Sequence, residues 1–126
     1  MELWVTWYTH EMWAAVPEVF DNITGITQWT WNYGDLPDLV DRFEVMEKTF
    51  PKHKKLLGIY MYDFPSGLPV PLDLMAFQCE QGLNLMREGR LDGMIFEANS
   101  VMGVGLPSER WLIEWIERIG DTKVPL

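Results

Sequence analysis

Strand-favouring runs and helical apolar stripes alternate four times along this chain, at the spacing of about thirty residues that a strand–helix–strand unit occupies. Parallel neighbours cannot be joined by a tight turn, so this alternation calls for a parallel sheet with crossover helices. The first run, Leu3 to Thr9, is rich in Trp, Val, Thr and Tyr. Glu11 to Phe20 follows, and Pro17 keeps it from forming one uninterrupted helix, leaving a loop and one or two helical turns. The second strand is read at Ile23 to Trp31. Asp35 stands as the N-cap of the next helix, with Leu39, Phe43, Met46 and Phe50 at helical spacing and Pro51 as its stop. A third strand at Leu56 to Tyr62 leads through Pro65, Gly67 and Pro69 to a helix opened by Pro71. Leu72, Met75, Ala76, Cys79, Leu83 and Met86 form its stripe, and Gly89 ends it. The fourth strand, Asp92 to Phe96, precedes a loop with Gly103 and Gly105. The last helix opens at Pro107 and Ser108, has Leu112, Trp115, Ile116 and Ile119 as its apolar face, and closes at Gly120.

A chain of 126 residues suits one domain, here 1–126. A closed barrel of such units needs eight strands and about 250 residues. Four parallel strands alone leave two apolar edges open, and proteins avoid such edges. The expected fold is therefore α/β: a (βα)4 half of a TIM-type barrel with outer helices, completed by dimerisation into an eight-stranded ring. The competing architecture is a small open sheet of the flavodoxin type. Strand signals begin almost at Met1, as in a chain cut at a strand boundary, so a truncated barrel fragment also fits.

Composition narrows the partners. With 48% hydrophobic and 23% charged residues the chain reads as globular, and its apolar runs fall well short of a membrane span. A cytoplasmic location is expected, and no membrane partner. A net charge of -9 argues against nucleic acid, which is bound through clustered Lys and Arg. The single cysteine, Cys79, excludes an intrachain disulfide and lies on an apolar helical stripe, where it reads as core.

The text of the third and fourth units, Leu57-Gly-Ile-Tyr-Met-Tyr-Asp63, Pro71-Leu-Asp-Leu-Met75, Gln78-Cys-Glu80 and Leu85-Met-Arg-Glu-Gly-Arg-Leu-Asp-Gly-Met-Ile-Phe96, resembles the C-terminal half of larger bacterial proteins of TIM-barrel, glycoside-hydrolase-like character. Tyr8-Thr-His10 and Trp29-Thr-Trp31 are similar to earlier strand ends of the same proteins. The resemblance implies the barrel fold more than a defined reaction. Glu97 stands where those proteins would carry an apolar residue, so its role is read from this sequence alone.

A barrel of this type carries its active site at the C-terminal ends of the strands. The residues placed there are His10 and Glu11, then Trp29, Trp31, Asn32 and Asp35, then Tyr60, Tyr62 and Asp63, and finally Glu97 and Asn99. Paired carboxylates serve glycoside hydrolysis, one protonating the leaving oxygen while the other attacks or activates water. Glu97, flanked by Phe96 and Ala98, has the apolar setting of a general acid, with Asp63 or Glu11 opposite. In a dimeric barrel the fourth strand meets the neighbour's first, bringing Glu97 to Glu11 across the seam. His10, Trp29, Trp31, Asn32, Tyr60, Tyr62 and Asn99 would contact a small carbohydrate-like ligand, the aromatics stacking on sugar rings. This reading calls for no metal and no cofactor. Bland roles compete: Asp35 as helix cap, Asp63 and Glu11 as acceptors of loop N–H groups, His10 as an ordinary hydrogen-bonded histidine. A non-catalytic sugar- or ligand-binding module would use the same cleft.

Overall fold

The computed structural model describes residues 1–10, 21–97 and 104–121. Four strands, β1 (Trp4–Tyr8), β2 (Gly25–Trp29), β3 (Lys54–Tyr60) and β4 (Gly93–Glu97), form one sheet in the order β1-β2-β3-β4. Every neighbouring pair is parallel. Among the described residues three α-helices follow their strands: α1 (Leu39–Thr49), α2 (Leu72–Arg87) and α3 (Pro107–Ile119). A doubly wound sheet reverses its strand order at a switch point and carries helices on both faces. Here the order runs on without reversal, and right-handed crossovers then place successive helices on one side.

That side holds the core. Ile26, Leu57, Ile59 and Met61 from the sheet meet Leu39, Phe43 and Met46 of α1, Met75, Cys79 and Leu85 of α2, and Leu112 and Trp115 of α3. Burying each such side chain contributes roughly 1.5–3 kcal/mol. Burial pushes the Cys79 thiol up to about 12, which makes it a packing group rather than a nucleophile. Side chains alternate along a strand, so the opposite face carries Trp4, Thr6 and Tyr8 of β1, Thr27 and Trp29 of β2, Leu56 and Tyr60 of β3, and Ile95 and Glu97 of β4. Large rings on this inner face lie across glycines of the next strand. A Cβ on Gly25 would meet the Trp4 ring at 2.2 Å, and one on Gly58 the Trp29 ring at 2.1 Å.

The helices end as their sequences direct. Gly89, at φ +73, closes α2 in a left-handed turn; its N–H bonds Met86 O at 3.0 Å and that of Arg90 bonds Leu85 O at 2.9 Å. Asp73 and Arg87 sit in the first and last turns, where they complement the helix dipole. Two expectations shift. The cap ahead of α1 is Asn32, not Asp35: its Oδ1 accepts the Gly34 N–H at 2.8 Å, starting a 3-10 helix over Tyr33–Asp38 that runs into α1. Asn caps as well as Asp and comes earlier in the chain. The buried stripe of α2 is also rotated, with Gln78 and Gly82 inside and Leu72 exposed. Gly82 permits the close approach, since a Cβ there would lie 2.4 Å from Met94 Sδ. Gln78 donates through Nε2 to Tyr60 O at 3.3 Å.

Candidate functional site

The C-terminal ends of the strands carry a continuous group of aromatic rings. Trp29 and Tyr60 form its floor, both buried, with ring centres 4.5 Å apart. Trp31 and Phe64 stack at 3.9 Å with planes only 14° apart. Tyr8 forms a T-shaped pair with Trp31 at 5.4 Å and stacks on the exposed His10 at 5.6 Å. Phe64 also contacts Tyr60 at 4.6 Å and Tyr62 at 4.7 Å, tying the rim to the floor. Tyr8, Trp31 and Phe64 are half-buried, so the rim remains open to a ligand.

Asp63 holds this rim in shape. Its Oδ1 accepts the Tyr33 N–H at 2.8 Å, and its Oδ2 accepts the Ser66 N–H at 3.0 Å and the Ser66 hydroxyl at 2.6 Å. One buried carboxylate thereby joins the loop after β2 to the loop after β3, and Phe64 N–H adds a bond to Trp31 O at 3.3 Å. Both Asp63 oxygens are occupied by loop donors.

Glu97 differs. It ends β4 directly opposite Tyr60, half-buried on the inner face. Burial first, then a hydrogen bond donated to Tyr8, and then the negative charge of Glu97 push the Tyr60 phenol far above its ordinary value, so it stays a neutral donor. The Tyr62 hydroxyl is buried without a partner among the described residues, as are those of Thr9 and Thr30 at the two preceding strand ends. Most buried polar groups are satisfied, so unpaired hydroxyls at three successive strand ends are unusual.

Of the residues singled out in the sequence, the fold gathers Tyr60, Tyr62, Trp29, Trp31, His10 and Glu97 at one end of the sheet. Asn32 is there as a cap. Glu11 and Asn99 lie outside the described residues. Phe64 and Tyr8 were not among the candidate ligand contacts. The signal for both was available: each is an aromatic within one residue of a strand end or of a loop-anchoring Asp. Among the described residues no group of three or more His, Cys, Asp or Glu could hold a metal ion, and no helix is long and apolar enough to cross a membrane. No protein-family model, curated protein or solved structure matches the chain.

Proposed function

We propose that the chain is half of an eight-stranded barrel, closed by a second copy, and that it hydrolyses a small glycoside at the strand C-terminal end. The carrying observation is the position of Glu97. It is a half-buried carboxylate at the end of an edge strand, opposite a neutral tyrosine, with an aromatic surface alongside. Among the described residues the outer edges of β1 and β4 are unpaired, and pairing β4 of one copy with β1 of the other would remove both. Glu97 would then lie beside Tyr8 and Glu11 of the neighbour, giving the acid and its opposing carboxylate from two chains. The resemblance to glycoside-hydrolase-like barrels supports the barrel part of this reading and not the role of Glu97.

A second reading is favoured by one observation: both Asp63 oxygens are already engaged, which removes the candidate partner of Glu97 that lies within the same chain. If Glu11 does not reach the seam, the aromatic cleft binds a sugar without turning it over.

A panel of chromogenic glycosides assayed with wild type, Glu97→Gln and Glu11→Gln tests the proposal. Hydrolysis by wild type and its loss in both variants is expected, and mixing the two inactive variants should restore activity, because one seam of the mixed dimer regains both carboxylates. Turnover equal in wild type and Glu97→Gln would remove Glu97 from the mechanism. Sugar-dependent quenching of tryptophan fluorescence without turnover would support the binding module.

A further inference from the structure

We infer that the ligand of this cleft is positively charged: an amine-bearing sugar ring, rather than a neutral or acidic one. The inference rests on the cleft proposed above and specifies its ligand.

Three observations on different parts of the molecule converge. The first is the wall chemistry. The faces of Trp, Tyr and Phe rings are negative and attract an ammonium group, the more so when it is desolvated. Trp31 and Phe64 stack on each other and Tyr8 stacks on His10, so each of these half-buried rings has one face left for a ligand at most, at the sheet end that also carries Trp29 and Tyr60. The second is Glu97. Asp63 has its charge spread over three loop donors, whereas no hydrogen bond or ion pair engages Glu97 within the described residues. A half-buried carboxylate without a fixed partner is costly unless a cation or donor arrives. The Tyr62 hydroxyl, buried and unpartnered behind Phe64, adds a polar group that the fold does not use.

The third is the distribution of charge. Lys54 and Lys55 open β3 at its N-terminal end, Lys48, Arg87 and Arg118 occupy the last turns of the three helices, and Arg90 lies in the turn before β4. All of these are at the end of the sheet opposite Glu97, whereas Arg42 and Arg110, in the first turns of α1 and α3, lie at the Glu97 end. Helix polarity by itself favours basic last turns and acidic first turns such as Asp41, Asp73 and Glu109. It does not account for the strand-borne Glu97 or for the lysines that open β3. The result is a field that draws cations to the aromatic end and turns anions away, on a chain of net charge -9. An acidic sugar would meet Glu97 at an end of the sheet where carboxylates outnumber the basic side chains. A neutral sugar would gain nothing from the field.

The experiment uses the intact chain at low salt and compares matched pairs: glucosamine with glucose, galactosamine with galactose, and the N-acetylated forms as uncharged controls. Binding is followed by tryptophan fluorescence and by ligand-observed NMR. In at least one pair the amine is expected to bind about tenfold more tightly than its neutral partner, the gap expected of one added charge contact. That gap should close in Glu97→Gln, and it should narrow in wild type as salt is raised or as pH passes the amine's titration. The salt and pH arms need no variant. Equal or tighter binding of the neutral sugars would overturn the charge inference while leaving a sugar cleft in place. Absence of binding by every sugar would overturn both. An amine preference that survives in Glu97→Gln would also overturn the inference, since the charge would then be read elsewhere.

Discussion

The two ends of the sheet are built on different terms. At the strand N-terminal end, charged groups are paired off within the fold. Arg90 donates from Nε to Glu47 at 3.0 Å, from Nη2 to the same carboxylate and from Nη1 to Glu88, with its guanidinium 5.7 Å from the centre of the Phe43 ring. Lys55 N–H bonds Asp92 Oδ2 at 2.8 Å, Asp92 N–H returns to Lys55 O at 2.9 Å, and the buried Lys55 amine donates to His53 O at 2.8 Å. At the C-terminal end, three buried hydroxyls have no partner among the described residues, and the half-buried Glu97 lies opposite Tyr60 at the sheet end that carries the half-buried rings. The contrast teaches that the N-terminal end uses its charged groups within the fold, whereas the C-terminal end, beyond the Asp63 anchor, keeps groups that the fold does not consume. That division is the one a barrel uses when its loops carry the chemistry.

Substitutions at each end can break or sharpen this contrast. The largest effect is expected from Asp63→Ala, which orphans Tyr33 N–H, Ser66 N–H and the Ser66 hydroxyl. It should cost about 3 kcal/mol in urea denaturation and abolish ligand-induced quenching by releasing Trp31 and Phe64. A loss of ligand response at full stability would instead assign Asp63 to the chemistry. Gly58→Val should cost about 2–3 kcal/mol, because a Cβ would lie 2.1 Å from the Trp29 ring and must displace it. Near-ultraviolet circular dichroism should record the loss of the fixed Trp29 environment. Arg90→Ala, at the other end, should cost about 1 kcal/mol, since its pairs are partly exposed, and should leave ligand binding unchanged. Altered binding there would show that the two ends are coupled. Tyr62→Phe is expected to fall within about 0.5 kcal/mol of wild type or on the stable side, because it deletes a hydroxyl that bonds to nothing. A clear destabilisation would mean that this hydroxyl serves the fold.

The regular elements were legible because their signals are local. The spacing of Leu39, Phe43 and Met46 gives the buried face of α1, and Pro107 with Gly120 brackets α3. Gly89 marks the end of α2 for the same reason. What escaped depends on contacts distant in sequence. The reach of Asp63 back to Tyr33 decides that its carboxylate anchors loops, and no pattern near residue 63 encodes it. Gln78 and Gly82 break the apolar rule of the α2 stripe because one satisfies the Tyr60 carbonyl and the other admits Met94. The strand-end placement of Trp29, Tyr60 and Glu97 followed from alternation alone. The pairing of Trp31 with Phe64 did not, since it depends on two loops meeting.

The central claim is that a sheet with two unpaired parallel edges is half of a ring. Sedimentation equilibrium of the intact chain, over a hundredfold range of concentration, tests it most directly. The account predicts a dimer of twice the 14.8 kDa chain mass that persists on dilution and falls apart when Ile95, an exposed inner-face residue of β4, is replaced by Lys. A stable, folded monomer across that range would contradict it.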